Sequence, residues 1–212
     1  MYDLRFSAHQ LSKRFNREWI FKNVSFEFSG ADVIGITGSN GSGKSTLLQI
    51  LSGYLIPSSG EIKLFVGDVE ITAEDFYKHI SLSSPFLELV EEFTLEEQLN
   101  FYFKFKKSKN DISVSELLSM SLLGQHAQKQ IRNFSSGMKQ RVKLLMAMAS
   151  DTSLLLLDEP CTNLDSSGIE WYKKMLTEFS ANRIIIISSN NQPDELFMCN
   201  KFISMDDFKS LI

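Results

Sequence analysis

The sequence predicts an α/β fold: a parallel-sheet core preceded by an antiparallel β segment and interrupted by a helical insertion. Three observations carry this. Two wholly apolar runs, Leu154–Leu157 and Ile184–Ile187, have the length of strands buried on both faces, as in a parallel sheet. A third run, with Val33, Ile34 and Ile36, passes through a glycine-rich turn into Leu47, Leu48 and Leu51, spaced as one helix face. Residues 85 to 150 read as mostly helical, whereas the amino-terminal segment alternates with the period of strands.

In chain order, Leu4, Phe6 and Ala8, then Val24, Phe26 and Phe28, mark two antiparallel strands, with Lys13–Arg17 between them. The Ser29–Asp32 break precedes the first core strand. After the first helix, Pro57-Ser58-Ser59-Gly60 turns into a strand and hairpin over 61–68, and Ile80–Ser83 is a further strand. Thr94 and Glu97 form a capping box for a helix running to about Lys106, with Leu95, Leu99, Tyr102 and Phe103 on one stripe and Phe101 and Phe105 off it. Val114, Leu117, Leu118 and Leu122 mark another helix, and Val142, Leu145, Met146 and Ala149 a third. Ile169, Tyr172, Met175 and Leu176 form one more helical stripe. A final helix over Glu195–Cys199 and a short strand at Phe202 and Ile203 close the sequence.

With 212 residues the chain fits one domain carrying an insertion better than two complete domains. A net charge of −4 gives no basic excess for a nucleic-acid surface. Cys161 and Cys199 form no metal-ligand spacing, so reduced thiols and a cytoplasmic chain are the expectation. No run approaches the roughly 20 apolar residues that cross a bilayer, so a partner must supply any membrane span.

Gly38-Ser39-Asn40-Gly41-Ser42-Gly43-Lys44-Ser45-Thr46 lies between a strand and a helix. Such a loop wraps backbone N–H groups around a phosphate at a helix N-terminus, with Lys44 reaching the terminal phosphates and Ser45 placed on Mg²⁺. ATP and Mg²⁺ are the expected ligands. The strand ending in Asp158 and Glu159 puts two carboxylates at the sheet's carboxyl edge, one suited to holding Mg²⁺ and the other to deprotonating water. Ser135, Ser136 and Gly137 open a helix and offer a second place for an anion. Ser188–Asn191 follows another core strand, where a γ-phosphate could be sensed. Phe15 could stack on a base or could pack.

This order of motifs resembles the ATP-binding-cassette (ABC) ATPase family over essentially the whole chain, particularly single-domain subunits that pair with separate membrane proteins. The stretch Phe134-Ser135-Ser136-Gly137-Met138-Lys139-Gln140-Arg141 is similar to the family's Leu-Ser-Gly-Gly-Gln signature, and closer to a variant found in exporter-type subunits. The resemblance implies one ABC ATPase domain. Its P-loop NTPase core would comprise residues 1–84 and 151–212, with an N-terminal antiparallel β subdomain, and residues 85–150 would form the inserted α-helical subdomain. It further implies that Phe15 stacks adenine, that Lys44, Ser45 and Thr46 handle phosphates and Mg²⁺ with Asp158 assisting, and that Glu159 is the general base. Asp165 falls where the family couples two sites, and Ser135 and Gly137 would cap ATP bound by a second subunit. The implied partners are therefore a second ATP-binding subunit, in a homodimer, and a transmembrane permease that holds the chain at the inner face of the cell membrane.

Two departures bear on rate. Where the family places glutamine, this sequence has Ser84-Pro85, and where it places a switch histidine, it has Asn190. Asparagine can hydrogen-bond a phosphate but cannot carry positive charge. ATP binding with slow hydrolysis is the resulting expectation, and a regulatory ABC ATPase outside transport is the alternative. The aromatic and acidic stretch from Pro85 to Phe105 is either the permease docking surface or part of the insertion's own core.

Overall fold

Strands β1 (Leu4–Phe15) and β2 (Glu18–Ser29) pair antiparallel in a long hairpin. The structure is a computed structural model and describes residues 3–209. Strand β1 continues through Phe15, so the connection is two residues, Asn16 and Arg17, and not Lys13–Arg17. Register shifts between Ala8 and Leu11 and between Leu11 and Arg14 break the period-two pattern that would have revealed this, and Gln10 and Asn23 take positive φ there.

Strand β3 (Val33–Thr37) runs into the glycine-rich loop and α1 (Lys44–Leu51). The chain then returns to the first sheet as β4 (Ser59–Val66) and β5 (Val69–Glu70), giving the order β2-β1-β4-β5. A short α2 (Phe76–His79) leads to β6 (Ile80–Ser83). Helix α3 (Leu95–Tyr102) has both bonds of its expected capping box, Glu97 N–H to Thr94 Oγ1 at 3.2 Å and Thr94 N–H to Glu97 Oε2 at 2.8 Å. It stops at Tyr102, short of Lys106, whose ammonium turns away to the carbonyls of Tyr77 and Ile80. Helix α4 (Val114–Met120) carries a second capping box, Ser113 with Glu116, a signal equally present in the sequence.

Helices α5 (Ser136–Ala149) and α6 (Ser166–Phe179) alternate with β7 (Leu154–Asp158) and β8 (Ile184–Ser188). Helix α7 (Pro193–Leu196) begins earlier than the Glu195–Cys199 expectation because proline is suited to the first helical position, and it ends at Leu196. Strand β9 (Lys201–Ser204) completes a five-stranded sheet of order β6-β7-β8-β3-β9, parallel at every pairing.

Both apolar runs are fully buried, and their alternation divides the core. Leu154, Leu156, Ile184 and Ile186 face α1 and the antiparallel sheet, alongside Phe6, Phe21 and Leu64. Leu155, Leu157, Ile185 and Ile187 face α5 and α6, alongside Leu145, Tyr172 and Leu176. Each such aliphatic side chain contributes about 1.5–3 kcal/mol on burial. Leu95 and Leu99 join the second cluster, while Phe101 and Phe105 remain exposed.

Three cations close helix ends near the amino edge of the parallel sheet. Arg183, fully buried, donates to the carbonyls of Met148 and Ser150 at the end of α5, and burial lowers its pKa to about 10. Lys109 donates to Phe179 and Ala181 at the end of α6, and Lys106 to the end of α2. Burial lowers the pKa of each lysine to about 8. Unpaired carbonyls in a helix's last turn attract such charges. Among the described residues, no helix is long and apolar enough to cross a membrane.

Candidate active site

Strands β3, β7 and β8 all end at one edge of the parallel sheet, and the glycine-rich loop sits there. Gly43 has φ 98° and caps α1. A Cβ at Gly43 would lie 2.7 Å from the Ile20 side chain, so no other residue fits without displacement. The loop curls around its own lysine. Lys44 is buried, and its ammonium donates to the carbonyls of Gly38 at 2.9 Å and Ser39 at 3.2 Å, and to Asn190 Oδ1 at 2.5 Å.

Asn190 in turn donates through Nδ2 to Glu159 Oε1 at 2.7 Å. Lysine, asparagine and glutamate are therefore joined in one line, which also assigns the two ends of the Asn190 amide: oxygen toward the cation, nitrogen toward the carboxylate. Glu159 takes φ 44°, uncommon for a residue with a side chain, and this turns its carboxylate into the cleft while its N–H donates to Ser188 O. The cleft, about 480 Å³, is lined by Ile20, Asn40, Gly41, Gly43, Lys44, Ser45, Thr46, Glu159 and Asn190.

Asp158 is buried beneath this cleft. Its carboxylate accepts three hydroxyls, from Ser45 and Ser84 at 3.1 Å each and from Ser188 at 2.5 Å. Hydrogen bonds to a charged group contribute about 1.5–3 kcal/mol each, which offsets part of the cost of burying the charge. Ser84, standing where the resemblance expects glutamine, thus reaches the second carboxylate and not the cleft. Its carbonyl and that of Pro85 accept from Lys143 Nζ at 3.3 Å each. The parallel register pairs Ser188 directly with Asp158, a contact set by strand order and not by any local motif.

Other expected residues fall outside this cleft. Phe15 is half-exposed beneath the Lys13 ammonium at the hairpin end, and Ile20 forms the near wall of the cleft. Ser39 donates its N–H and hydroxyl to Asp206, and the Ser42 hydroxyl is buried without a partner.

Ser135, Gly137 and Asp165 form a second concavity of about 370 Å³, which shares no lining residue with the first. Ser135 caps α5 by accepting the Met138 N–H at 3.2 Å. Asp165 caps α6 by accepting Gly168 N–H at 2.8 Å, with Ser167 and Arg141 beside it, and these bonds hold its pKa below the usual carboxylate range. Gly137 is sterically required, since a Cβ there would lie 2.7 Å from the Asn163 carbonyl oxygen.

Residues 21–162 match the family model described as ABC transporter. This chain belongs to that family. Its ABC relatives include the ABC transporter ATP-binding protein YybJ of Bacillus subtilis, 29% identical over 92% of this chain and 90% of its own. Nod factor export ATP-binding protein I of Rhizobium etli is 27% identical over 95% of this chain and 65% of its own length. Among solved structures, an ATP-binding subunit of an ABC transporter superposes with a TM-score of 0.82 at 24% identity, covering 94% of this chain and 85% of that one. An ATP-binding cassette dimer bound to ADP and Pi gives 0.78 at 20% identity, over 94% and 93%. These two likenesses establish the fold. The ABC ATPase assignment rests on the family match, and it accords with the mixed parallel and antiparallel sheets described above.

Proposed function

We propose that this ABC subunit hydrolyses ATP to power an export-type membrane transporter, through closure of a head-to-tail homodimer on two ATP molecules. The observation that carries this reading is the separation of the two half-sites. One chain holds the phosphate loop with Glu159 and Asn190 in one cleft and Ser135, Gly137 and Asp165 in another, so each ATP is completed by a second copy.

Within one composite site, Lys44 and the N–H groups of Gly41–Thr46 hold the phosphates, and Ser135 and Gly137 of the opposing copy face the γ-phosphate. Ser45 and Asp158 offer neighbouring oxygens, a hard donor pair suited to Mg²⁺ with water and phosphate as its other ligands. When bound, the ion neutralises phosphate charge. Glu159 accepts a proton from the attacking water, whose oxygen bonds to the γ-phosphorus as the bond to the β–γ bridging oxygen breaks, leaving ADP and phosphate. Asn190 fixes the Glu159 carboxylate but brings no charge, and Ser84 holds Asp158 and leaves the water unoriented. Both features support slow turnover with ATP binding intact. The export direction is supported by the signature variant and by the Nod factor export relative.

Complementation tests the composite site. Lys44→Ala and Gly137→Asp should each abolish ATP-dependent dimer formation alone, while a mixture restores one intact site per heterodimer. Dimerisation recovering in the mixture, read by size exclusion with MgATP, is the expected result. Its failure, with both proteins folded, would place the whole site within one chain.

The permease contact is assigned to the groove of about 570 Å³ along Pro85–Glu92. Leu87 and Val90 on its wall and Phe86 next to it in the chain are exposed, and Glu88 and Glu92 stand on the surface while Glu91 is paired with Lys139 at 2.6 Å. A cytoplasmic segment bearing apolar and basic residues complements this surface. Lysine at positions 88 and 92 should reduce co-purification with the permease several-fold without changing the melting temperature; undiminished assembly would exclude the groove as the docking site.

A further inference from the structure

We infer that Glu195 is a positioning residue that clamps the turn carrying Glu159 to the turn carrying Asn190. This rests on the reading of Glu159 as general base, and no motif drew attention to it. Glu195 is 1% exposed, on α7 behind the cleft. One carboxylate oxygen accepts the Cys161 N–H at 3.0 Å. The Glu195 N–H donates to Gln192 O at 3.1 Å, and the Gln192 N–H in turn donates to the Ser189 hydroxyl at 3.0 Å, which ties α7 to the turn carrying Asn190. The second carboxylate oxygen, Oε2, is buried with no hydrogen-bond partner.

A buried carboxyl left half-satisfied is costly, and an aliphatic side chain would fill the same space without that cost. Its value must lie in what the satisfied half does. The Glu159 turn needs holding, because φ 44° at Glu159 is strained backbone that persists only where surrounding contacts over-determine it. Contacts to elements outside the turn include Glu159 N–H to Ser188 O at 2.9 Å, Gln140 Nε2 to Pro160 O at 3.1 Å, and Cys161 N–H to Glu195. Of the two side chains, that of Glu195 belongs to the helix that directly follows Asn190 and is bonded back to Ser189 through Gln192. The Asn190–Glu159 bond of 2.7 Å therefore has a rigid brace behind it, which sets where the base points.

The test is ATP turnover by the full chain with MgATP. Glu195→Ala should lower kcat about tenfold or more while KM for ATP stays within about threefold, since the phosphate loop is untouched. Glu195→Gln, whose amide oxygen can still accept the Cys161 N–H, should remain within about threefold of the parent in both. An unchanged kcat in Glu195→Ala, a KM that moves with kcat, or equal losses in the alanine and glutamine proteins would overturn the assignment. If Glu195→Ala does not fold, Ser189→Ala takes its place, with a drop in kcat of about threefold at constant KM expected and no drop counting against the clamp. The base reading is checked separately: full turnover by Glu159→Gln would remove the premise, whereas loss there together with an unaffected Glu195→Ala would remove only the clamp.

Discussion

Glu159→Gln should lower phosphate release by about a hundredfold or more and leave ATP binding unchanged. The side chain is one of two carboxylates at the edge of the parallel sheet, and they are not interchangeable. Asp158 is buried, and both of its oxygens are engaged by serine hydroxyls, two on Oδ1 and one on Oδ2. Glu159 has one oxygen bonded to Asn190 at 2.7 Å, while the other has only a long contact of 3.5 Å with the Thr162 hydroxyl. That second oxygen is free to receive a proton. Glutamine keeps the shape, and its carbonyl can still accept from Asn190, so the geometry survives and only the basicity is lost. If the proposed dimer closure on ATP holds, size exclusion in MgATP should show the dimer accumulating. Turnover near the parent value would mean that another group accepts the proton.

Asn190→His should act in the opposite direction and raise phosphate release about tenfold or more, with KM for ATP within about threefold. In this chain the asparagine links Lys44 to Glu159 through its two amide ends. It positions both but adds no charge where negative charge accumulates on the transferred phosphoryl group. An imidazole at the same strand end can donate to the phosphate and carry a proton, and one well-placed donor is worth a few kcal/mol of barrier. A fall in rate would show that the two-ended amide bridge, and not the missing charge, governs turnover.

What could be read from residues alone follows from how local the signal is. The buried strands, the phosphate loop and the paired acids each occupy one short stretch, so composition and spacing suffice. The capping box at Thr94 was equally local and is present in full. Boundaries set by distant groups were not legible. Helix α3 ends early where Lys106 reaches α2, and β1 runs past its expected end because bulges at Gln10 and Asn23 hide its periodicity. The candidate site shows the same division. Lys44, Ser45, Asp158, Glu159 and Asn190 converge as their motifs imply, but the Asp158 contacts of Ser84 and Ser188 depend on strand order in the sheet. Glu195 lies in no motif, and only burial discloses it.

The buried cations at the amino edge of the sheet constrain how the helical insertion can move. Lys106, Lys109 and Arg183, together with the Asp151 N–H bond to Lys107 O, fasten it along one side. The signature loop lies at the other end of α5, whose 14 residues span about 21 Å. The amino end of α5 is held as well: Gln140 Nε2 donates to Pro160 O at 3.1 Å and Arg141 to the Ser167 hydroxyl at 3.1 Å, so Ser135 is fixed relative to the strand end that carries Glu159.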